Sequence, residues 1–158
     1  NFFAYDLDYV KLLVKYGANI NDTRTEPPLI VCMGSGDNKR KLKLIEYFLD
    51  HGANINIQDN NRQYSTNSTP IISAADISLW DIVNYLLDRG ADYRVVDNVG
   101  ASVAFRVQDE ISMNKGTADR KEKVHALKRR LEKLGIEFPV PRGINIYKQK
   151  QESEIAPE

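Results

Sequence analysis

The apolar residues of this chain recur at intervals of three and four positions in three segments, and each segment ends at a glycine. Such intervals predict amphipathic helices, because they place side chains on one face of a helix with 3.6 residues per turn. The three faces consist of Val10, Leu13 and Val14; Ile45, Phe48 and Leu49; and Val83, Leu86 and Leu87. We expect the glycines that follow, Gly17, Gly52 and Gly90, to end their helices at positive φ, where a β-carbon costs about 1 kcal/mol.

The three glycines belong to a repeated segment. Near-copies of one sequence span Lys15–Asn21, Asp50–Asn56 and Asp88–Asp92. The intervals from one glycine to the next, counted on to Gly135, are 35, 38 and 45 residues. Self-similarity of this kind predicts a repeat architecture, in which stacked units share one continuous core.

A second motif precedes the last copy and reads Thr-Pro-Ile-Ile-Ser-Ala-Ala over residues Thr69–Ala75. Thr69 is predicted to cap a first helix with its hydroxyl, Pro70 to occupy position N1, and Ala74 and Ala75 to let a second helix approach closely. The motif resembles the Thr-Pro-Leu-His-x-Ala-Ala signature of the ankyrin-repeat family. That resemblance implies an all-α solenoid of stacked helix-turn-helix repeats with hairpin fingers, about four in number, the first truncated.

The neighbouring repeats fit the family period only with insertions. In the second repeat, Pro27–Met33 takes the place of the signature, and about four extra residues near Asp37–Arg40 are predicted to separate its two helices. About five extra residues after Asp59, around Gln63–Asn67, lengthen the next finger. We expect this finger to protrude from the array.

A degenerate fourth repeat opens at Asp97–Ala104, with Ser102 in the capping position and Val103 in place of the proline. About twelve inserted residues, roughly Asp109–Arg120, are predicted to separate its first helix from its second. The apolar stripe of that second helix consists of Val124, Leu127, Leu131 and Leu134. Its face rich in lysine and arginine suits a C-terminal cap, since a terminal repeat needs a polar outer side.

We expect the array to span residues 1–135, with repeats at about 1–24, 25–59, 60–97 and 98–135. Counted back from Gly17, the chain opens inside the first helix of its first repeat, so part of at least one repeat is expected upstream. Residues 136–158 are predicted to form an extended tail, because Pro139 and Pro141 favour extended backbone, with its last dozen residues disordered.

The composition indicates a soluble globular chain and argues against several function classes. Apolar residues make up 42% and charged residues 28% of the 158, and no apolar run approaches the roughly 18 residues of a membrane span. Lysine plus arginine and aspartate plus glutamate both number 22, so we expect no nucleic-acid partner. The single cysteine, Cys32, excludes an internal disulfide.

Candidate catalytic and metal-binding residues are few. No motif surrounds His51 or His125, and both are interpreted as helix-end or surface residues. Cys32 holds the first alanine position of its signature and is predicted to be a small buried hydrophobe. Gly34–Gly36 followed by Lys39 lacks the ending of a phosphate-binding loop. We therefore predict no enzymatic activity, no cofactor and no metal.

Two features leave other binding roles open. Residues Lys115–Lys133 include eight basic and three acidic side chains, which could favour an acidic partner or lipid head groups, although a solvated cap face is the favoured interpretation. Trp80 could anchor a partner, since interface hot spots are enriched in tryptophan. Its register resembles that of a core leucine of the family, so a core position is favoured.

The resemblance also implies where a partner binds. Fingers and first helices of ankyrin repeats line one concave surface, and the variable contact positions follow the finger aspartate and the paired alanines. Tyrosine, arginine and asparagine suit protein recognition, although turn chemistry is the alternative explanation for the asparagines. In this sequence the candidates are Asn60, Asn61, Arg62, Gln63, Tyr64, Asp76, Ile77, Asn98 and Val99.

We therefore predict a monomeric, non-enzymatic module that binds a protein partner on its concave surface and fingers. The segment Gly135–Pro141 resembles the tail of small bacterial ankyrin proteins that neutralise a cognate secreted toxin, for instance a phospholipase effector. That resemblance implies an immunity protein in the periplasm or a membrane-anchored lipoprotein. The alternative is a regulatory or scaffolding region of a larger protein, in the cytoplasm.

Overall fold

A computed structural model of the chain describes residues 6–34, 36–59 and 66–141. These ranges contain seven α-helices and no strand: α1 (Leu7–Lys15), α2 (Pro28–Val31), α3 (Asn38–Asp50), α4 (Pro70–Asp76), α5 (Trp80–Asp88), α6 (Val103–Met113) and α7 (Ala118–Lys133). The helices form the pairs α2–α3, α4–α5 and α6–α7, and α1 has the register of a second helix. Because α4 packs on α2 and α6, and α7 packs on α5, the predicted all-α array of stacked pairs is confirmed.

One apolar core runs through the stacked pairs. Trp80 is 4% exposed, which confirms its predicted core position. Ala74 and Ala75 are buried, as predicted for close packing of α5 on α4. Cys32 is also buried, its thiol donates to the carbonyl of Leu29 at 3.2 Å, and burial raises its pKa to about 12. A thiol with so high a pKa is protonated at neutral pH, in agreement with its interpretation as a small hydrophobe.

The helix-ending glycines adopt the predicted conformation, with φ of +87° at Gly17, +88° at Gly52 and +86° at Gly90. Gly135, after α7, has a φ of +92°. In all four places the next amide donates to the carbonyl five residues earlier, as the amide of Ala91 does at 2.9 Å. This bond closes the last turn of each second helix in the same way.

The residues after these glycines join one repeat to the next. The side-chain amide of Asn21 donates to the carbonyl of Gly52 at 3.0 Å, and its side-chain oxygen accepts from the amide of Asn54 at 2.7 Å. Asn56 accepts in the same way from the amide of Asp92 at 2.9 Å. The repeated segment therefore supplies contacts between repeats as well as the end of each helix.

The insertion of the second repeat lengthens a helix. Helix α3 has 13 residues and α5 has 9, but both begin ten residues after the proline that starts the preceding helix, Pro28 or Pro70. The prediction that the extra residues separate two helices was wrong. They form one more turn at the start of α3, where the side chain of Asp37 accepts from the amide of Arg40 at 2.9 Å.

The insertion of the fourth repeat is also mostly helical, contrary to the prediction. Residues 109–113 complete α6, and residues 118–120 begin α7, which leaves a short connection between them. Ser102 caps α6 as predicted, because its hydroxyl accepts from the amide of Phe105 at 3.2 Å. Leu134 was wrongly placed in the apolar stripe of α7: it is the C-cap residue and is 40% exposed, so the stripe ends at Leu131.

Thr69 also differs from its prediction. It holds the N-cap position of α4, and Pro70 holds N1 as predicted, but the Thr69 side chain makes no capping hydrogen bond. Thr69 is 0% exposed, and its hydroxyl has no hydrogen-bond partner within the part of the chain that the structure describes.

The segment after Gly135 lies on the last helix pair. Ile136, Phe138 and Val140 pack against the core. Gln108 of α6 accepts from the amide of Val140 at 2.8 Å and donates to its carbonyl at 3.1 Å. The peptide bond between Phe138 and Pro139 is cis. The predicted disorder of the last residues and the predicted opening inside a first helix lie outside the described residues.

Candidate partner-binding surface

The long finger has a closed base. The amide of Asp59 donates to the carbonyl of Ser68 at 3.0 Å, and the amide of Asn67 donates to the carbonyl of Asp59 at 3.1 Å. In the next finger the amide of Asp97 donates to the carbonyl of Ala101 at 3.1 Å. The bonded residues are nine positions apart in one finger and four in the other, which confirms the predicted five-residue insertion. The candidates Asn60, Asn61, Arg62, Gln63 and Tyr64 lie outside the described residues.

The carboxylate of Asp97 organises the shorter finger. Its side chain is 1% exposed. One of its oxygens accepts from the amides of Val99 at 3.0 Å and Ala101 at 2.8 Å, and the other accepts from Arg106 at 2.9 Å. The turn that carries Asn98 and Val99 is therefore fixed from inside by one buried, charge-compensated group.

Arg106 of α6 also pairs with Asp76, the last residue of α4. Its Nε lies 2.5 Å from a carboxylate oxygen of Asp76. Burial raises the pKa of Asp76 above its ordinary value, and the negative charge of Asp97 acts in the same direction, whereas Arg106 opposes both. We call these three residues the Arg106 junction. It joins the end of α4, the finger and α6.

Two exposed apolar side chains flank the Arg106 junction. Ile77 follows Asp76 and is 50% exposed, and Val99 is 43% exposed on the turn that Asp97 holds. The amide of Asn98 donates to the carbonyl of Thr66 at 2.9 Å and so ties this turn to the long finger. The candidates Asp76, Ile77, Asn98 and Val99 are thus held in one connected region.

Sequence reasoning missed Arg106, which connects these candidates. The only available signal was an arginine in a first helix nine residues after a finger aspartate. That signal is weak, because Asp76 is thirty residues away from Arg106 along the chain.

Most of the basic residues on and just before α7 make ion pairs, and two of these pairs join α7 to α5. Lys123 lies 3.1 Å from Asp81, and Arg130 lies 2.7 Å from Asp88, both aspartates being on α5. Of the eight basic residues between positions 115 and 133, five make ion pairs: Arg120, Lys123, Lys128, Arg129 and Arg130. Three of these five side chains pair with carboxylates outside the segment, namely Glu110, Asp81 and Asp88, which compensates part of its basic excess.

The described residues offer no group of three or more histidine, cysteine, aspartate or glutamate side chains that could hold a metal ion. None of the seven helices in the described ranges has an apolar stretch that could span a bilayer. A groove of about 460 Å³ lies between α6, α7 and Phe138. Its one charged lining residue, Lys128, is paired with Glu132.

Comparison with known proteins agrees with this geometry. The family model for ankyrin repeats, in three copies, matches residues 3–97, which is more than half of the chain. The match stops before the pair formed by α6 and α7, where both helices are longer than in the preceding repeat. A search of the curated proteins found no match to this chain.

Proposed function

Since this chain belongs to the ankyrin-repeat family and is therefore a protein–protein interaction module, we propose that it binds one protein partner. The proposed binding surface consists of the region around the Arg106 junction and the long finger. The observation that carries this proposal is the exposure of Ile77 and Val99 on segments that ion pairs and hydrogen bonds hold in place. Exposed apolar side chains on a rigid frame favour binding, because little conformational entropy is lost when they are covered.

The long finger is the second part of the proposed surface. Arg62 and Tyr64 are residue types that anchor interfaces, and one such anchor can contribute about 2 kcal/mol or more. The base of the finger closes through Asp59 and Ser68, so residues 61–65 can be deleted without removing that closure. Loop length alters closure entropy by only tenths of a kcal/mol, so we expect this deletion to leave the unfolding midpoint unchanged and to weaken partner binding at least tenfold.

The finer form of the proposal is that the chain is a monomeric, non-enzymatic immunity protein whose partner is a cognate secreted effector, as its tail resemblance suggests. The segment that carries the resemblance packs on the array, through the hydrogen bonds between Gln108 of α6 and Val140. The compartment would then be the periplasm or a membrane-anchored position. Co-production with each secreted toxin of the same genome in turn tests this form. The chain should restore growth, and the Ile77→Asp/Val99→Asp variant should not.

Affinity capture with three baits tests the proposed surface itself. The baits are the parent chain, the Ile77→Asp/Val99→Asp variant and a Leu134→Asp control, whose replaced side chain is similarly exposed at 40% but lies at the end of α7. We expect at least one protein to be retained by the parent and the control, and to bind the double variant at least tenfold more weakly. Thermal melts of all three baits check that the substitutions leave the fold intact. Equal retention by all three would contradict the proposed surface.

A further inference from the structure

Helix α1 and its C-cap residue, Tyr16, expose a stripe of large apolar side chains. Tyr9 is 47% exposed, Leu12 is 49% exposed and Tyr16 is 79% exposed. Residues spaced by three and four positions lie along one side of a helix, so the three form one continuous stripe. The core face of α1 is a different one, centred on Val10, which is fully buried.

The position of Tyr9 is buried in the other repeats. Tyr9 stands eight residues before the glycine that ends its helix. The residues at the same position in α3, α5 and α7 are Leu44, Ile82 and Leu127, with exposed fractions of 1%, 0% and 0% against the 47% of Tyr9. The repeat architecture therefore provides a cover for this position, and α1 lacks that cover.

The polar contacts between repeats identify what the cover is. Arg89, the residue before the glycine that ends α5, lies 2.8 Å from Asp50 of α3. Arg130, five residues before the glycine that ends α7, reaches Asn84 of α5 at 3.1 Å and Asp88 at 2.7 Å. These positions correspond to Tyr16 and Leu12. Each second helix thus turns this stripe toward the second helix of the repeat before it.

We propose that Tyr9, Leu12 and Tyr16 form the docking surface for an additional repeat of the same polypeptide, stacked on α1 in the register of the array. The proposal extends an interface that the structure already shows between α3 and α5 and between α5 and α7. Tyr16 and Leu12 are apolar at the positions where Arg89 and Arg130 make ion pairs in the later repeats. The second helix that covers the stripe therefore presents apolar side chains to it.

The other edge of the array is unsuited to cover this stripe. The residues of α7 at the positions of Asn84 and Asp88 are Arg129 and Lys133, and both are exposed. Stacking a second copy head to tail would place these charges against the stripe of α1. Removing charged side chains from water is costly, even though Arg129 pairs with Glu122 of its own helix. An additional repeat of the same polypeptide is therefore favoured over a second copy.

A lengthened chain tests the proposal. Asn1 stands sixteen residues before Gly17, as Ala74 stands before Gly90, so a duplicate of residues 38–73 joined upstream of Asn1 keeps the register. In the duplicate alone, Glu46→Leu and Asp50→Leu replace the charged residues at the positions that would face the stripe. We expect its melting temperature to exceed that of the parent by about 5 °C or more, the size expected for burying two large side chains. The double variant Tyr9→Ser/Leu12→Ser should remove that gain.

The matched control is the same double variant in the unextended chain, where both side chains face solvent and the melting temperature should change by less than about 2 °C. Leu134→Ser, at an exposed position outside the stripe, should have an equally small effect in both chains. If the double variant lowers the melting temperature of both chains equally, the stripe is already covered within the chain and the proposal is overturned.

Sedimentation of the unextended chain decides the matter even if the lengthened chain does not fold. We expect a monomer at all concentrations. A concentration-dependent dimer that Leu12→Asp dissociates would show that a second copy covers the stripe, and would overturn the proposal.

Discussion

The third and fourth repeats bury equivalent positions although their helices differ in length. The helices have 7 and 9 residues in the third repeat and 11 and 16 residues in the fourth. Leu86 and Leu131, both four residues before the closing glycine, are each 0% exposed. The additional length of the fourth repeat carries polar contacts instead, such as the ion pair between Arg120 and Glu110. The comparison shows that stacking fixes the core positions of a repeat, whereas helix length beyond the core is free to vary.

The two repeats also differ at their caps and in how they contact the next unit. Ser102 caps α6 with its hydroxyl, whereas the hydroxyl of Thr69 is buried without a partner among the described residues. The side chain of Asn56, four residues after Gly52, binds the third repeat at the amide of Asp92. Four residues after Gly90 the third repeat has Arg94 instead. Between the third and fourth repeats, the hydroxyl of Tyr93 donates to the carbonyl of Leu134 at 2.9 Å. Different side chains thus serve the same junctions.

The largest expected effect concerns the shared core. Leu86→Ala and Leu131→Ala should each lower the free energy of unfolding by about 2–5 kcal/mol, because both create a cavity at a fully buried position. Denaturant unfolding of the two variants measures the change. A loss below about 1 kcal/mol for Leu131→Ala alone would show that polar contacts, and not the core, stabilise the fourth repeat.

The next effect concerns the glycines that end α5 and α7. Gly90→Val and Gly135→Val should each cost more than about 1 kcal/mol, since both residues have positive φ and a β-branched side chain fits that region poorly. An added β-carbon would meet no atom within 4 Å at either site, so the cost arises from the backbone alone. Asparagine tolerates this conformation and is the control. Equal losses for valine and asparagine would contradict the explanation.

A smaller effect, opposite in the two repeats, concerns the caps. Ser102→Ala should cost about 1 kcal/mol, because it removes a capping hydrogen bond. Thr69→Val keeps the shape of the side chain and removes a buried hydroxyl without a described partner, so stability should stay the same or rise by up to about 1 kcal/mol. Denaturant unfolding separates the two results. A loss above about 1 kcal/mol for Thr69→Val would reveal a hydrogen bond to a residue outside the described ranges.

The smallest effect concerns the exposed charges of α7. Lys123→Gln removes ion pairs with Asp81 and Asp119, both of which are open to solvent. Exposed pairs contribute little because water screens them, so the melting temperature should not change measurably. A clear drop that disappears in high salt would show that ion pairs make a larger contribution to stacking than the geometry indicates.

The helix pairs were predictable because periodicity and glycine position depend on local sequence. Trp80 and Ser102 followed from register alone. The form of the insertions was not predictable, since residues 38–40 are exposed and could form either a loop or one more turn of α3, the turn that Asp37 caps. Arg106 was missed because its partners, Asp76 and Asp97, come from separate segments and no local pattern links them. The residues of the long finger that were proposed to bind remain a prediction.

Site-specific photo-crosslinking in the native cell tests the central claim most directly. A photoreactive amino acid would replace Ile77 or Val99 in turn, and Leu134 as the control, since all three are exposed and apolar. The account predicts that positions 77 and 99 crosslink to the same protein and that position 134 does not. Crosslinking from position 134 alone, or to unrelated proteins from positions 77 and 99, would contradict it.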